Sequence, residues 1–250
     1  MRLTRAALTV AAGTLAPALL LATPAFAADT SGAGTASVTT AATATDSDSD
    51  SPYDSMTEEE LRIEILRVLA DENSGVGVRR EAQEALDGTV EDMRYFLETG
   101  ILLAQDEDNK VAIARLLADP DSGKAVIREA NKALDGTAED RANFLATGLR
   151  LAQDEDNKVE IFRIIGLPSS GKGVYREAVK ALEGSIEDRV YFLSTGYRLA
   201  QAEDDRVAVA KILARTDISA ALRAAAEAVI DGTPEELRYF IEVGQYEVDG

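Results

Sequence analysis

Apolar residues after residue 56 recur every three or four positions, a spacing that predicts amphipathic helices. In one stretch, Val111, Ala114 and Leu117 share one face of a predicted helix that begins at Asp108 or Asn109. Three further stretches have the same spacing: Ile63, Leu66 and Leu69; Val159, Phe162 and Ile165; Val207, Ala210 and Leu213. The four stretches are in register at a period of 48 residues, so the helices belong to an internal repeat.

Other residues keep the same period with no gap or insertion. A glycine followed by Thr or Ser recurs as Gly88-Thr89, Gly136-Thr137, Gly184-Ser185 and Gly232-Thr233. An apolar pair recurs as Phe96-Leu97, Phe144-Leu145, Phe192-Leu193 and Phe240-Ile241. A later glycine recurs as Gly100, Gly148, Gly196 and Gly244. Agreement over four copies makes the repeat the strongest signal in the chain.

Each repeat is predicted to contain three helices. In the second copy, Pro120 and Gly123 interrupt the first helix, and the second helix runs from about Lys124 to Asp135. Gly136 follows it and suits the left-handed position that terminates many helices.

The third helix is predicted to begin directly afterwards. Thr137 is its N-cap and Asp140 its third residue, which is a capping-box pattern. The apolar face consists of Phe144, Leu145, Gly148, Leu151 and Ala152. We expect the helix to continue through Gly148 rather than to end there, with the glycine allowing close approach by a neighbouring helix.

The predicted fold class is all-α, an α-solenoid of three-helix, 48-residue repeats. A single repeat cannot bury its own apolar face, whereas stacked neighbours bury a continuous core. The repeat domain spans residues 56–250 in four copies, the last one partial. It begins near Thr57, which forms a further capping pair with Glu60.

The N-terminus predicts export. Residues 1–27 read as a signal peptide, with Arg2 and Arg5 before an apolar stretch and a small-x-small cleavage pattern that ends at Ala27. We therefore expect a secreted, extracellular protein with no membrane attachment after cleavage. Residues 28–55 consist mostly of Ala, Thr, Ser, Gly and Asp, so a disordered linker is predicted.

Composition excludes several classes of chemistry. The chain has 26 Lys and Arg against 45 Asp and Glu, a formal net charge of −19. Nucleic-acid binding needs a basic contact surface, so it is not expected, and basic partners or cations suit the chain better. Cys, His and Trp are absent, which removes disulfides, catalytic thiolates, Ser-His-Asp triads and the usual zinc ligands.

The repeat resembles the ALF repeat, named for its Ala-Leu and Phe positions and found in secreted actinobacterial proteins. The pattern is Ala133-Leu134-Asp135-Gly136-Thr137, then Glu139-Asp140, then Phe144-Leu145 and Gly148. The fourth copy departs from it, with Val229-Ile230 in place of Ala-Leu. The resemblance implies little about activity, because the family's function is not established; signalling and display in secreted toxin systems have been suggested.

Two patterns are candidates for chemistry. Residues 166–173 approach a phosphate-binding loop, but Gly173 stands where the magnesium-binding hydroxyl belongs. Acidic runs recur at the predicted start of the first helix, where they favour the helix dipole. Stacking would also turn them into an anionic ridge that attracts calcium or a basic protein; the candidate metal ligands are Asp106, Asp108, Asp154 and Asp156.

The sequence therefore predicts a secreted, non-enzymatic scaffold for protein–protein interaction or display, with an unknown protein partner and no cofactor. One alternative is a calcium-dependent extracellular binding protein that uses the acidic ridge. Another is a glycoside hydrolase that works with two carboxylates. A catalytic carboxylate should occur once, and no acidic residue departs from the repeat pattern.

Overall fold

The computed structural model describes residues 51–249. The predicted signal peptide and residues 28–50 of the predicted linker lie outside that range. Within it, residues 51–55 form a turn and the rest of the chain consists of helices and connecting loops, with no strand.

The helical segments follow one another in a regular order. In chain order they are α1 (Glu58–Ala70), α2 (Val76–Asp87), α3 (Val90–Tyr95), a π turn (Phe96–Gly100), α4 (Ile101–Ala118), α5 (Lys124–Asp135), α6 (Ala138–Asn143), a π turn (Phe144–Gly148), α7 (Leu149–Ile165), α8 (Lys172–Glu183), α9 (Ile186–Tyr191), a π turn (Phe192–Gly196), α10 (Tyr197–Leu213), α11 (Ala220–Val229), α12 (Pro234–Tyr239), a π turn (Phe240–Gly244) and α13 (Gln245–Asp249).

Each repeat contains three helical segments, as predicted, but the third segment runs into the first segment of the next repeat. Segments α6 and α7 are joined through a π turn without a break, as are α3 and α4, α9 and α10, and α12 and α13. Gly148 has helical angles, φ −61° and ψ −39°, so the helix continues through it. The prediction that the first helix begins at Asp108 or Asn109 is wrong, because both residues lie in the middle of α4.

The capping boxes form as the sequence predicts. The Thr137 hydroxyl accepts a hydrogen bond from the Asp140 backbone N–H at 3.2 Å, and the Asp140 carboxylate accepts one from the Thr137 N–H at 2.8 Å. The same reciprocal bonds form in five pairs in all: Thr57 with Glu60, Thr89 with Asp92, Thr137 with Asp140, Ser185 with Asp188, and Thr233 with Glu236. Local sequence therefore fixes where these segments begin.

The glycine before each capping box is required for a reason other than the predicted one. Gly136 has φ −87° and ψ −160°, which is extended rather than left-handed backbone. A Cβ at Gly136 would lie 2.6 Å from Oδ2 of Asp140. The capping carboxylate thus occupies the space that a side chain at Gly136 would need.

The helices form two compact units, one ending at Ala112 and the other beginning at Ile113. In the first unit the core residues come from α1 to α4: Leu61, Ile65, Val78, Ala82, Ala85, Met93, Phe96, Leu97 and Ala104. Tyr53 and Met56 pack against this core, and Arg94 Nε donates a hydrogen bond to the Tyr53 carbonyl at 3.2 Å. The end of the predicted linker therefore contacts the folded part.

The second unit repeats one packing scheme along the chain. Each cluster combines a residue from the first segment, small residues from the short second helix, and the Phe of the π turn. The clusters centre on Ile113, Ala130, Ala133 and Phe144; on Ile161, Val174, Ala178 and Phe192; and on Val209, Leu222, Ala226 and Phe240. Alanine in the short helices allows the larger side chains around them to pack closely.

Candidate functional site

Equivalent positions of the first segments present apolar side chains to solvent. In α7, Leu151, Val159 and Phe162 are 61%, 64% and 62% exposed, and their spacing puts them on one helical face. We call these positions the exposed stripe. In the same unit, Leu199 and Val207 in α10 are its other large members, both close to half exposed. The equivalent positions in the first unit, taken by themselves, are also close to half exposed: Ile63 and Leu66 in α1 and Leu103 and Val111 in α4.

The exposed stripe includes residues that the sequence analysis assigned to the apolar face of the first helix, so that assignment is wrong for the first two positions of each copy. It is right for the third position, because Leu69, Leu117, Ile165 and Leu213 pack against the core. Val111 and Ala114 are exposed and Leu117 is half-buried, whereas Ile113 is fully buried with Leu116 packed beside it. Two apolar sets, each with a three-residue step, are interleaved in this segment. Periodicity alone therefore could not decide which of them faces the core.

One position beside the exposed stripe differs in the second repeat. Three copies have an exposed tyrosine there, namely Tyr95, Tyr191 and Tyr239, whereas the second copy has Asn143. A Cβ on Gly196 would lie 3.6 Å from Cε1 of Tyr191, and one on Gly244 would lie 3.6 Å from Cε1 of Tyr239. In the third and fourth repeats the tyrosine ring therefore lies against the π-turn glycine.

The second repeat has a surface groove at this place, with a volume of about 940 Å³. It lies between α5 and the α6–α7 helix, and Asn143, Phe144, Gly148 and Leu151 are among its lining residues. Phe144 is buried and its ring is the nearest side chain to Gly148, at 3.2 Å from a Cβ built there. The glycine thus accommodates a ring of its own helix, not the neighbouring helix that we predicted.

Ion pairs connect the short helix to the long helix at the groove rim. Arg128 donates hydrogen bonds to both Glu155 oxygens, at 3.1 and 2.8 Å. In the third repeat the equivalent Arg176 donates one hydrogen bond to Glu203, at 2.9 Å. The hydrogen bond to Glu155 is the largest cause of the raised pKa of Arg128. These side chains are more than half exposed, so the pairs define the rim more than they stabilise the fold.

Two of the candidate metal ligands act as remote helix caps. The Asp108 carboxylate accepts hydrogen bonds from the N–H groups of Gly77 and Val78 at 2.8 and 3.0 Å. The equivalent Asp156 accepts from Ala125 and Val126 at 2.9 and 3.1 Å. These carboxylates therefore satisfy the free N–H groups at the start of the short helices.

The other two candidate ligands form ion pairs. Asp106 lies 3.0 Å from Nζ of Lys110. Asp154 is buried and accepts hydrogen bonds from Nε and Nη2 of Arg189 at 2.5 and 3.0 Å, and Lys158 Nζ lies 2.7 Å from it. The Arg189 hydrogen bonds hold the pKa of Asp154 below its usual value, so protein cations already surround this carboxylate.

The acidic ridge does not assemble into a metal cage in the part of the chain that the structure describes. Within residues 51–249, no group of three acidic side chains is arranged to hold a metal ion. Over the same residues, no helix combines the length and the apolar character needed to cross a membrane.

The segment that resembles a phosphate loop is a connection between helices. Ile161 to Ile165, which precede it, belong to α7 and not to a strand. Gly171 is the N-cap of α8, and the Asp204 carboxylate accepts the N–H of Gly173 at 2.7 Å. A phosphate group would meet that carboxylate, which is the wrong charge for an anion site.

Comparison with known proteins identifies the repeat. A family model described as "ALF: Short repeats of unknown function" matches residues 62–102, 110–152 and 206–247. The chain belongs to the ALF family. The first two matched segments begin 48 residues apart and the third begins two periods later, which leaves one further ALF repeat of the same register between them. No curated protein matches the chain.

Sequence reasoning missed three features of these ALF repeats. It missed the exposed stripe, the groove beside Asn143 and the remote caps. The exchange of tyrosine for Asn143 is visible in the sequence as a break in the register.

Proposed function

We propose that this ALF-repeat chain is a secreted, non-enzymatic scaffold that binds a protein partner through its exposed stripe. Export is supported by the signal-peptide pattern of residues 1–27. A binding role is supported by side chains that the fold does not need for its own core.

The observation that carries the proposal is one repeat position. Ile63, Val111, Val159 and Val207 are between 48% and 64% exposed, although each is a β-branched apolar residue. The core residue of each copy lies two positions later, as Ile65, Ile113, Ile161 and Val209, all fully buried. Single exposed apolar residues are ordinary, whereas apolar residues repeated at one exposed register are typical of an interaction surface.

The test compares two variants of α7 that add the same charge. Phe162→Glu places a carboxylate in the exposed stripe, and Gln153→Glu places one on the opposite face of the same helix. Each purified protein is used to capture partners from culture medium of the organism that encodes the chain. We expect Phe162→Glu to lose the captured protein and Gln153→Glu to retain it, with equal helix content by circular dichroism. Equal capture by both variants would refute the proposal.

A further inference from the structure

The groove in the second repeat lies where a tyrosine ring lies in the third and fourth repeats. Asn143 stands where the other three copies have tyrosine, and the groove opens beside it. In the fourth copy the Tyr239 hydroxyl donates a hydrogen bond to Glu247 at 2.9 Å. Glu247 is the equivalent of Leu151, so the tyrosine ring spans the distance from the π-turn glycine to that position.

In the second copy the same space has an apolar lining, but no tyrosine ring fills it. Its floor is Gly148 with the buried Phe144 and Ala152, and the exposed Leu151 stands at its side. These are apolar groups of the kind that pack against an aromatic ring. The third and fourth repeats therefore show, within this chain, which chemical group fits the site.

The charged residues that line the groove determine which residues of a partner can flank that ring. Four acidic and two basic side chains line the groove: Glu129, Asp135, Asp140, Glu155, Arg128 and Lys132. Arg128 is paired with Glu129 and Glu155, and Lys132 lies 3.8 Å from Glu129. Asp135 makes no ion pair with any residue that the structure describes, so the rim retains an excess of negative charge.

Building on the function proposed above, we propose that this groove binds an aromatic side chain of the protein partner, flanked by Lys or Arg. The ring lies over Gly148 in place of the missing tyrosine, and the basic neighbours face Asp135 and Asp140. A second copy of the chain would also supply exposed tyrosines, but its net charge of −19 opposes self-association at an acidic rim.

The test uses a synthetic peptide, Gly-Lys-Tyr-Lys-Gly with blocked ends, and the full mature chain. Binding is followed by the shift of the Gly148 amide resonance in an NMR titration. We expect a saturable shift that is lost when the peptide tyrosine is replaced by alanine. Replacing both peptide lysines by glutamate should weaken binding about ten-fold or more.

Two reciprocal variants of the protein test the site itself. Asn143→Tyr restores the residue of the other copies, so it should fold normally while weakening peptide binding by about ten-fold or more. Tyr191→Asn should open the equivalent space in the third repeat and create a new shift at Gly196. Unchanged binding by Asn143→Tyr, or no shift at Gly148 in the unaltered protein, would overturn the inference.

Two further outcomes identify other occupants. Equal binding of the lysine and glutamate peptides would overturn the proposal that basic residues flank the aromatic side chain. Concentration-dependent dimerisation in sedimentation that Asn143→Tyr abolishes would show that a second copy fills the groove, which also overturns the proposal. A negative peptide result would not count against binding through the exposed stripe. That proposal is tested by capture with the Phe162→Glu variant, which does not involve the peptide.

Discussion

The chain contains both an ionic and an apolar version of the same buried contact. In the third repeat Asp154 and Arg189 form an ion pair with side chains 6% and 7% exposed. The equivalent residues of the fourth repeat are Ala202 and Leu237, which belong to one buried cluster. An ion pair taken out of water gains little net stability, whereas loss of one partner leaves an uncompensated charge. We therefore expect this contact to stabilise the two repeats to a similar extent.

Substitutions at this contact should show strong non-additivity. Asp154→Ala leaves Arg189 buried without its carboxylate, so we expect the free energy of unfolding to fall by about 3 kcal/mol. The double variant Asp154→Ala with Arg189→Leu copies Ala202 and Leu237 and should recover most of that loss. Urea denaturation of the two variants measures both values. If the double variant were less stable than Asp154→Ala, the ion pair would not be replaceable in this way.

At the scale of the helices, three short helices take their N-terminal cap from a long helix later in the chain. They are α2, α5 and α8, and the caps come from α4, α7 and α10. The N-caps of α2, α5 and α8 are Gly75, Gly123 and Gly171, which have no side chain to accept a hydrogen bond. The acceptor is instead an aspartate about 30 residues later in the chain. A Cβ on Gly123 would lie 2.1 Å from an Asp156 oxygen, which explains why this position is glycine.

Removing the remote cap should loosen the start of one helix. Asp156→Ala deletes both hydrogen bonds to the Ala125 and Val126 N–H groups, and we expect a loss of about 1–2 kcal/mol. Hydrogen exchange of the Val126 amide should accelerate, while that of Val174, capped by Asp204, stays unchanged. Gln153→Ala, at an exposed position of the same long helix that makes no hydrogen bond to α5, is the matched control. Equal acceleration in both variants would count against the cap.

The sequence predicted the elements whose signals are local and missed those that depend on distant residues. Thr137 and Asp140 are three residues apart, so their capping box was readable. The 48-residue register gave the number and order of the helical segments in each repeat, although the start of the first helix was placed wrongly. Asp156 and Val126 are 30 residues apart, and nothing in either stretch marks them as partners. The exposed stripe was assigned to the core because Val111 and Ile113 are equally apolar, and only tertiary packing distinguishes them.

At the scale of the whole molecule, the acidic residues behind the net charge of −19 differ in their environments. Among residues 51–248, most of them lie on the surface, in capping boxes, remote caps and exposed ion pairs. Two of the buried ones respond oppositely to their surroundings: Arg189 lowers the pKa of Asp154, whereas burial raises the pKa of Asp205. The Asp205 Oδ2 atom and the Arg238 Nε atom are buried without a hydrogen-bond partner among residues 51–249. The equivalents of Asp205 in the second and third copies are uncharged, Asn109 and Asn157, so the interpretation that no acidic residue departs from the repeat pattern is wrong.

These opposite shifts predict that acid changes the repeats differently. The ordinary pKa of an aspartate is 3.8, and the Arg189 guanidinium holds the pKa of Asp154 below it. The stabilisation from the Asp154 charge is therefore largely retained at pH 4 and is lost as the pH falls through the lowered pKa. Asp205 holds its proton more tightly in the folded state than in the unfolded one, so it favours folding at low pH and this contribution is lost as the pH rises through its raised pKa. Lowering the pH from 7 to 4 should therefore stabilise the last repeat relative to the third.

Hydrogen exchange resolved by repeat measures this difference. In the unaltered chain we expect the amides of α11 and α12 to gain protection, relative to those of α8, when the pH is lowered to 4 and the rates are corrected for intrinsic exchange. Asp205→Asn installs the residue of the second and third copies and removes the titrating group, so it should abolish that gain while Arg238 keeps Glu242 at 3.5 Å as a partner. A gain of the same size in Asp205→Asn would assign the pH response to other carboxylates, because the variant leaves every one of them in place.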